Sequence, residues 1–195
     1  MEVHNLCDQA LLSALIGPRS AERILKDFNG CLAPLVSDKN ATSQLNSRQK
    51  TRLLAARELV RRVLTEELTA RDLLSSPKVV AEYLRLHFAG REYESFVVLF
   101  LDTQNALLAS EEMFRGTLNQ TSVYPREVIK RALFHNAAKV IFAHNHPSGV
   151  AEPSRADELL TETLKRALAL VDVCVNDHFI VCGNASMSFA EKGLL

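Results

Sequence analysis

The run AAKVIFAHNHPSGVAEPSRADELLTETLKRALALVDVCVNDHFIVCG, residues 137–183, constrains the fold more than any other part of the chain. It reads as strand, loop, helix, strand and strand, because Val- and Phe-rich runs bracket one long amphipathic segment. Upstream, SFVVLFLD (95–102) is a continuous apolar run, which suits a strand covered on both faces. Thr103-Gln104-Asn105 makes a turn, and ALLASEEMF (106–114) is its hairpin partner. Pro125 to Asn136 reads as an amphipathic helix opened by proline. Strands alternating with helices predict an α/β domain with helices layered on a sheet.

The first part of the chain has a different texture. Asp8 to Ile16 reads as a short helix with Asp8 as its N-cap, and Ala21 to Phe28 as a second one stopped by Asn29-Gly30. A polar stretch, 37–47, precedes a helix over Arg48 to Leu64 whose start Asn46 and Gln49 can close as a capping box. Ser75-Ser76-Pro77 opens another helix, running to about Gly90. The expected organisation is a small all-α region over 1–72 and an α/β domain over 73–195.

Lys+Arg and Asp+Glu both number 23, so no net charge drives the chain onto nucleic acid or an anionic membrane. A local patch is still present, because Arg48, Lys50, Arg52, Arg57, Arg61 and Arg62 crowd one helix against Glu58 alone. That is either a solvated face or a weak, salt-sensitive phosphate stripe over 48–62. No apolar run approaches the roughly 20 residues that span a bilayer, and the N-terminus does not read as a signal peptide. Four scattered cysteines, Cys7, Cys31, Cys174 and Cys182, read as reduced, buried hydrophobes of a cytoplasmic protein. A Cys174–Cys182 disulfide stays open at this level, although nothing requires it.

The chemistry lies in His-x-His-x7-Ser-x-x-Asp. Alternate strand residues project to one face, so His144 and His146 can reach a single point while Asn145 faces away. Asp157 falls in the first turn of the helix that follows, close to the end of that strand. A histidine on a strand is more often core than ligand, and Ser-x-x-Asp is usually a helix cap. Together they supply two imidazoles and one carboxylate, the three-ligand set of a catalytic zinc site.

HNHPSG and EPSRAD resemble the signature of the RadC family, within the JAMM/MPN (JAB) metalloprotease superfamily. EEMFRGTLNQTSVYPREVIKRALFHN, VNDHFIVCG and MSFAEKGLL extend the resemblance over roughly residues 75–195. It implies a three-layer, cytidine-deaminase-like α/β fold and a zinc-dependent peptidase or isopeptidase. Zinc would be held by His144, His146 and Asp157, with Ser154 positioning water and stabilising an oxyanion. The resemblance also implies a glutamate that shuttles protons. Glu94 is the choice, ahead of its neighbour Glu92, with Glu111 and Glu112 as fallbacks. Arg126 and Glu127 match the motif as support near the site, and Asp177-His178 reads as a structural hydrogen-bonded pair or a neighbour of the ligands. The lack of any Cys-x-x-Cys ligand pair argues against a deaminase.

Residues 8–64 resemble the helix-hairpin-helix segment of many family members, but SQLNSRQK stands where its Gly-x-Gly hairpin would be. Only basic side chains remain there for phosphate. The competing functions are therefore a metallohydrolase acting on an unidentified peptide or isopeptide, a DNA-associated repair or recombination factor with an accessory metal domain, and a pure interaction module. The sequence carries no signal for oligomeric state.

Overall fold

A computed structural model describes residues 6–30, 32, 35, 42–70, 77–116, 123–147, 149 and 151–195. The expected features at Cys31, Ser75, Ser76, Ser148 and the polar stretch 37–41 lie outside them. The chain divides into two compact units, Met1–Val63 and Leu64–Leu195.

The first unit holds α1 (Asp8–Ile16), α2 (Pro18–Asp27) and the start of α3 (Ser47–Ala70). Its core is Leu12, Ile16, Ala21, Ile24 and Leu45. Asp8 is the first helical residue rather than the cap; Cys7 holds the cap position and no side chain caps this helix. An acid at that place instead favours the helix dipole. The Asn29-Gly30 stop is present: both residues have positive φ, 51° and 79°, and Gly30 N–H returns to Leu25 C=O. The capping box at the start of α3 is also present, with Gln49 N–H donating to Asn46 Oδ1 and Asn46 N–H to Gln49 Oε1. That helix runs on to Ala70 instead of ending at Leu64, since TEELTA contains no stop residue.

The second unit is built on a five-stranded sheet in the order β2-β1-β3-β4-β5. The strands are β1 (Glu94–Leu101), β2 (Leu107–Gly116), β3 (Lys139–Asn145), β4 (Cys174–Cys182) and β5 (Ala185–Ser188). β3 and β4 run parallel, joined by a crossover helix, and the remaining neighbours are antiparallel. Seven of the eight β1 residues are buried, as a strand covered on both sides requires. Val97, Leu99 and Leu101 pack with Val80, Tyr83, Leu84 and Phe88 of α4 (Pro77–Phe88). Phe96, Val98 and Phe100 pack on the opposite face with Val128 and Ala132 of α5 (Pro125–Phe134) and with Leu164 and Leu168 of α6 (Arg155–Ala169). Each fully buried side chain of this size contributes roughly 1.5–3 kcal/mol, so burial on two faces outweighs the weak intrinsic propensity of any one strand. The result is the expected three-layer α/β arrangement.

The expected burial of the cysteines fails in this unit. Cys174 is exposed, as is Cys7 in the first unit, and both Cys174 and Cys182 are free. They stand at opposite ends of β4, far beyond disulfide reach. Asp177 and His178 are hydrogen-bonded to each other through the His178 N–H rather than ring to carboxylate, because strand alternation sends their side chains to opposite faces. The His178 ring lies 2.8 Å from His144, as a neighbour of the ligands would. Asp177 accepts from His178 N–H (2.7 Å), Ala190 N–H (3.0 Å) and Ser188 Oγ (2.6 Å), fastening the C-terminal turn to β4. Burial nevertheless raises its carboxyl above the usual range. Asp177→Ala removes the acceptor of these buried donors, and the expected loss of stability is about 3 kcal/mol. Urea unfolding measures it; an unchanged midpoint would mean that other acceptors take over.

Candidate metal centre

β3 ends at the top of the sheet, and its even-numbered residues face α5 and α6, so His144 and His146 project to that side. β1 lies antiparallel to β3 with Phe96 opposite His144. Glu94, two residues earlier on the same face, therefore comes beside His146. One ligand atom from each of Glu94, His144 and His146 lies within 4.8 Å of the others.

The N-terminus of α6 closes the site from above. Ser154 is its N-cap, and Asp157 N–H donates to Ser154 Oγ. In return, Ser154 N–H (2.8 Å) and Ser154 Oγ (2.6 Å) both donate to Asp157 Oδ2. This reciprocal cap aims the Asp157 carboxylate at the histidines, with Oδ1 3.3 Å from His144 Nε2 and Oδ2 3.6 Å from His146 Nε2. The two Nε2 atoms are 2.8 Å apart. Two imidazole nitrogens and a carboxylate thus converge from one strand end and one helix start, with a second carboxylate, Glu94, at the side.

The electrostatics match a cation site. Burial pushes the His144 ring down to about 4, so it is neutral at physiological pH and keeps a lone pair. Burial alone would raise the Asp157 carboxyl, but the His146 and His144 rings and the Ser154 donors outweigh it and hold it well below the usual range. Glu94 moves the other way: burial lifts it, His146 offsets part of the shift, and the Asp157 charge adds to it. Two carboxyls in one pocket are therefore driven apart, Asp157 downwards and Glu94 upwards. A neutral imidazole at His144, a second imidazole at His146 and an ionised carboxylate at Asp157 make the donor set of a borderline divalent cation.

Glu92 is exposed. Glu111 is bound to Arg131 and His135, and Glu112 to Arg91 and Arg115, so both fallback acids are committed to ion pairs on β2. Arg126 and Glu127 are surface residues of α5, paired with each other and, for Arg126, laid over Tyr124.

Sequence reasoning missed the part played by Asn145. It does face away from the histidines, but its side chain grips both sides of Glu94: Oδ1 accepts from Ser95 N–H (2.9 Å) and Nδ2 donates to Tyr93 C=O (2.9 Å). Ser95 Oγ also donates to Asn145 Oδ1 and accepts from Arg91. The available signal was a buried amide between two site residues, a group that must find partners.

A His-x-His strand end beneath a capped, acid-bearing helix start, on a sheet layered by helices, defines a JAB-type domain with a candidate metal centre. A family model described as RadC-like JAB domain matches residues 74–194. A UPF0758 protein of Nitrosospira multiformis is 54% identical over 178 residues, covering 90% of this chain and 80% of that protein. A UPF0758 protein of Nitrosomonas eutropha is 61% identical over 143 residues, covering 73% of this chain and 64% of its own length. One from Dechloromonas aromatica is 54% identical over 180 residues, covering 90% and 80%. The chain belongs to the RadC-like JAB domain family, also called UPF0758.

Proposed function

We propose that this protein is a zinc-dependent amide hydrolase, acting on a peptide or isopeptide bond, with His144, His146 and Asp157 as metal ligands. The observation that carries the reading is the placement of two buried or half-buried imidazoles and an ionised carboxylate within 3.6 Å of one another. Held by these three residues, a divalent cation would polarise a carbonyl and make water nucleophilic near neutral pH.

The chain's own residues supply the rest. Glu94, on the neighbouring strand, takes a proton from the attacking water and returns it to the leaving nitrogen, a role that its place beside His146 and its raised carboxyl both favour. Ser154 first orients Asp157, since its single hydroxyl proton is given to Oδ2. Turned outward from the helix start, the same hydroxyl donates to an oxyanion. Burial of His144 and of Phe96 and Phe142 beneath it keeps one wall of the pocket dry, which strengthens each of these polar contacts.

The third ligand has two candidates, Asp157 and Glu94, and metal analysis separates them. Purified protein is expected to hold close to one zinc per chain. Asp157→Ala and His146→Ala should lose it, and Glu94→Gln should keep it. A wild-type protein without zinc would overturn the reading, and zinc loss in Glu94→Gln would exchange the two acids. The nucleic-acid reading has less support. Arg61 and Arg62 are bound to Glu58, and Arg52 donates to Leu15 C=O, so the basic stripe is partly spent within the first unit. Among the described residues, no helix is long and apolar enough to cross a membrane.

A further inference from the structure

His178 lies two strands away from Glu94 and beneath the two histidines, and no step above uses it. It is fully buried, stacked on Phe189 and edge-on to Phe96 and Phe142. One nitrogen, Nε2, is 2.8 Å from His144 Nδ1. The other, Nδ1, is 2.6 Å from Thr161 Oγ1, a buried hydroxyl on α6. Thr161 is one turn after Asp157, and its Oγ1 is also 2.6 Å from the Asp157 carbonyl oxygen.

Proton counting fixes every bond in this chain. A carbonyl oxygen can only accept, and a hydroxyl has one proton, so Thr161 gives its proton to Asp157 C=O. The contact with His178 is then a hydrogen bond only if His178 Nδ1 carries the hydrogen. Enclosure by aromatic rings keeps His178 neutral, and a neutral imidazole has one N–H, so its Nε2 holds a lone pair. His144 Nδ1 must donate to it. His144 is neutral as well, which leaves its Nε2 without a proton, facing His146 and Asp157.

We propose that Thr161 and His178 are positioning residues forming a tautomer relay, which keeps the His144 proton on Nδ1 and presents Nε2 as an unprotonated donor to the cation. The proposal rests on the reading of His144 as a ligand. Metal-bound histidines commonly have the second nitrogen fixed by a carboxylate or carbonyl; here an imidazole and a hydroxyl do that work. The relay starts on the backbone of Asp157 and ends on the ring of His144. It therefore ties the helix that brings the carboxylate to the strand that brings the imidazole.

The test uses full-length, metal-free protein with 15N-labelled histidine, read by long-range proton–nitrogen NMR near neutral pH, alongside zinc affinity by competition with a chelating dye. In the wild type, His144 and His178 should both show the Nδ1–H form. Thr161→Val is isosteric but removes the acceptor for His178 Nδ1–H. His178 is then expected to shift its proton to Nε2 and donate to His144, driving His144 to the Nε2–H form. Zinc affinity should fall roughly 10–100-fold, the range for loss of a group that orients a ligand. Thr161→Ser should restore both the tautomers and the affinity. An Nε2–H form of His144 in the wild type overturns the relay. So does a Thr161→Val protein with unchanged tautomers, or a Thr161→Ser protein that fails to recover. If the wild type takes up no zinc, the cation reading falls while the tautomer pattern still decides the relay.

Discussion

Glu94→Gln is expected to lower amide hydrolysis by roughly 10²–10⁴-fold, the usual contribution of a positioned acid–base group, while zinc content stays the same. Gln keeps the shape and hydrogen-bonding length of Glu but cannot exchange a proton. The expectation follows from the register, which sets Glu94 beside His146 but on a different strand, and from the burial that raises its carboxyl. Asp157 in the same pocket is held ionised, so it is the poorer proton carrier. The measurement is turnover of an isopeptide-linked or peptide-library substrate by zinc-loaded protein, with metal content determined on the same sample. Activity within a few-fold of wild type would remove Glu94 from the reaction and leave the metal site intact.

Asn145→Ala should have two separable effects. The first is on stability: a buried acceptor for Ser95 N–H and a donor to Tyr93 C=O are lost, at about 1–3 kcal/mol for groups left unpaired. The second is on rate. The two peptides that Asn145 grips flank Glu94, so the start of β1 should loosen where the proposed proton shuttle is held. A misplacement of about 1 Å can cost on the order of 10²-fold. Zinc binding should hold, because both histidines point to the other face. Asn145→Asp, which keeps the acceptor and loses the donor, should fall between. A variant that is destabilised yet turns over at the wild-type rate would make Asn145 a core residue only.

The architecture was readable because burial on two faces leaves a plain mark: SFVVLFL and KVIFA admit no polar interruption, and only a sheet layered on both sides accommodates them. The convergence of His144, His146 and Asp157 was readable for a related reason, since strand alternation and the first turn of a helix leave little freedom. Glu94 needed more. Its distance from the histidines depends on how β1 registers against β3, and pairing register is a tertiary property. The resemblance singled it out, and the register places it. His178 was legible only as one of two readings, a neighbour of the ligands, and the parts played by Thr161 and Asn145 were out of reach. The contacts that Asn145 and His178 make at the site join residues 17 to 52 positions apart, and nothing local distinguishes a buried polar group that serves a site from one that serves the core. Asp177 and His178 illustrate the limit, because adjacency suggested one pair, whereas alternation leaves them joined only through the backbone N–H and sends their side chains to different tasks. The exposed Cys7 and Cys174 show that average burial tendencies do not decide single positions.

The three proposed ligands all lie between positions 144 and 157, on the one crossover that links the parallel strands β3 and β4. Glu94 is on a strand that precedes that crossover by more than a hairpin and a helix. In the proposed reading, cation capture and proton transfer are therefore encoded by separate stretches of the gene. A lineage can change one and keep the other with a single codon, so relatives that retain the crossover but vary at the start of β1 would be cation-binding proteins without turnover. Members of this family need not all be enzymes for the same scaffold to persist among them.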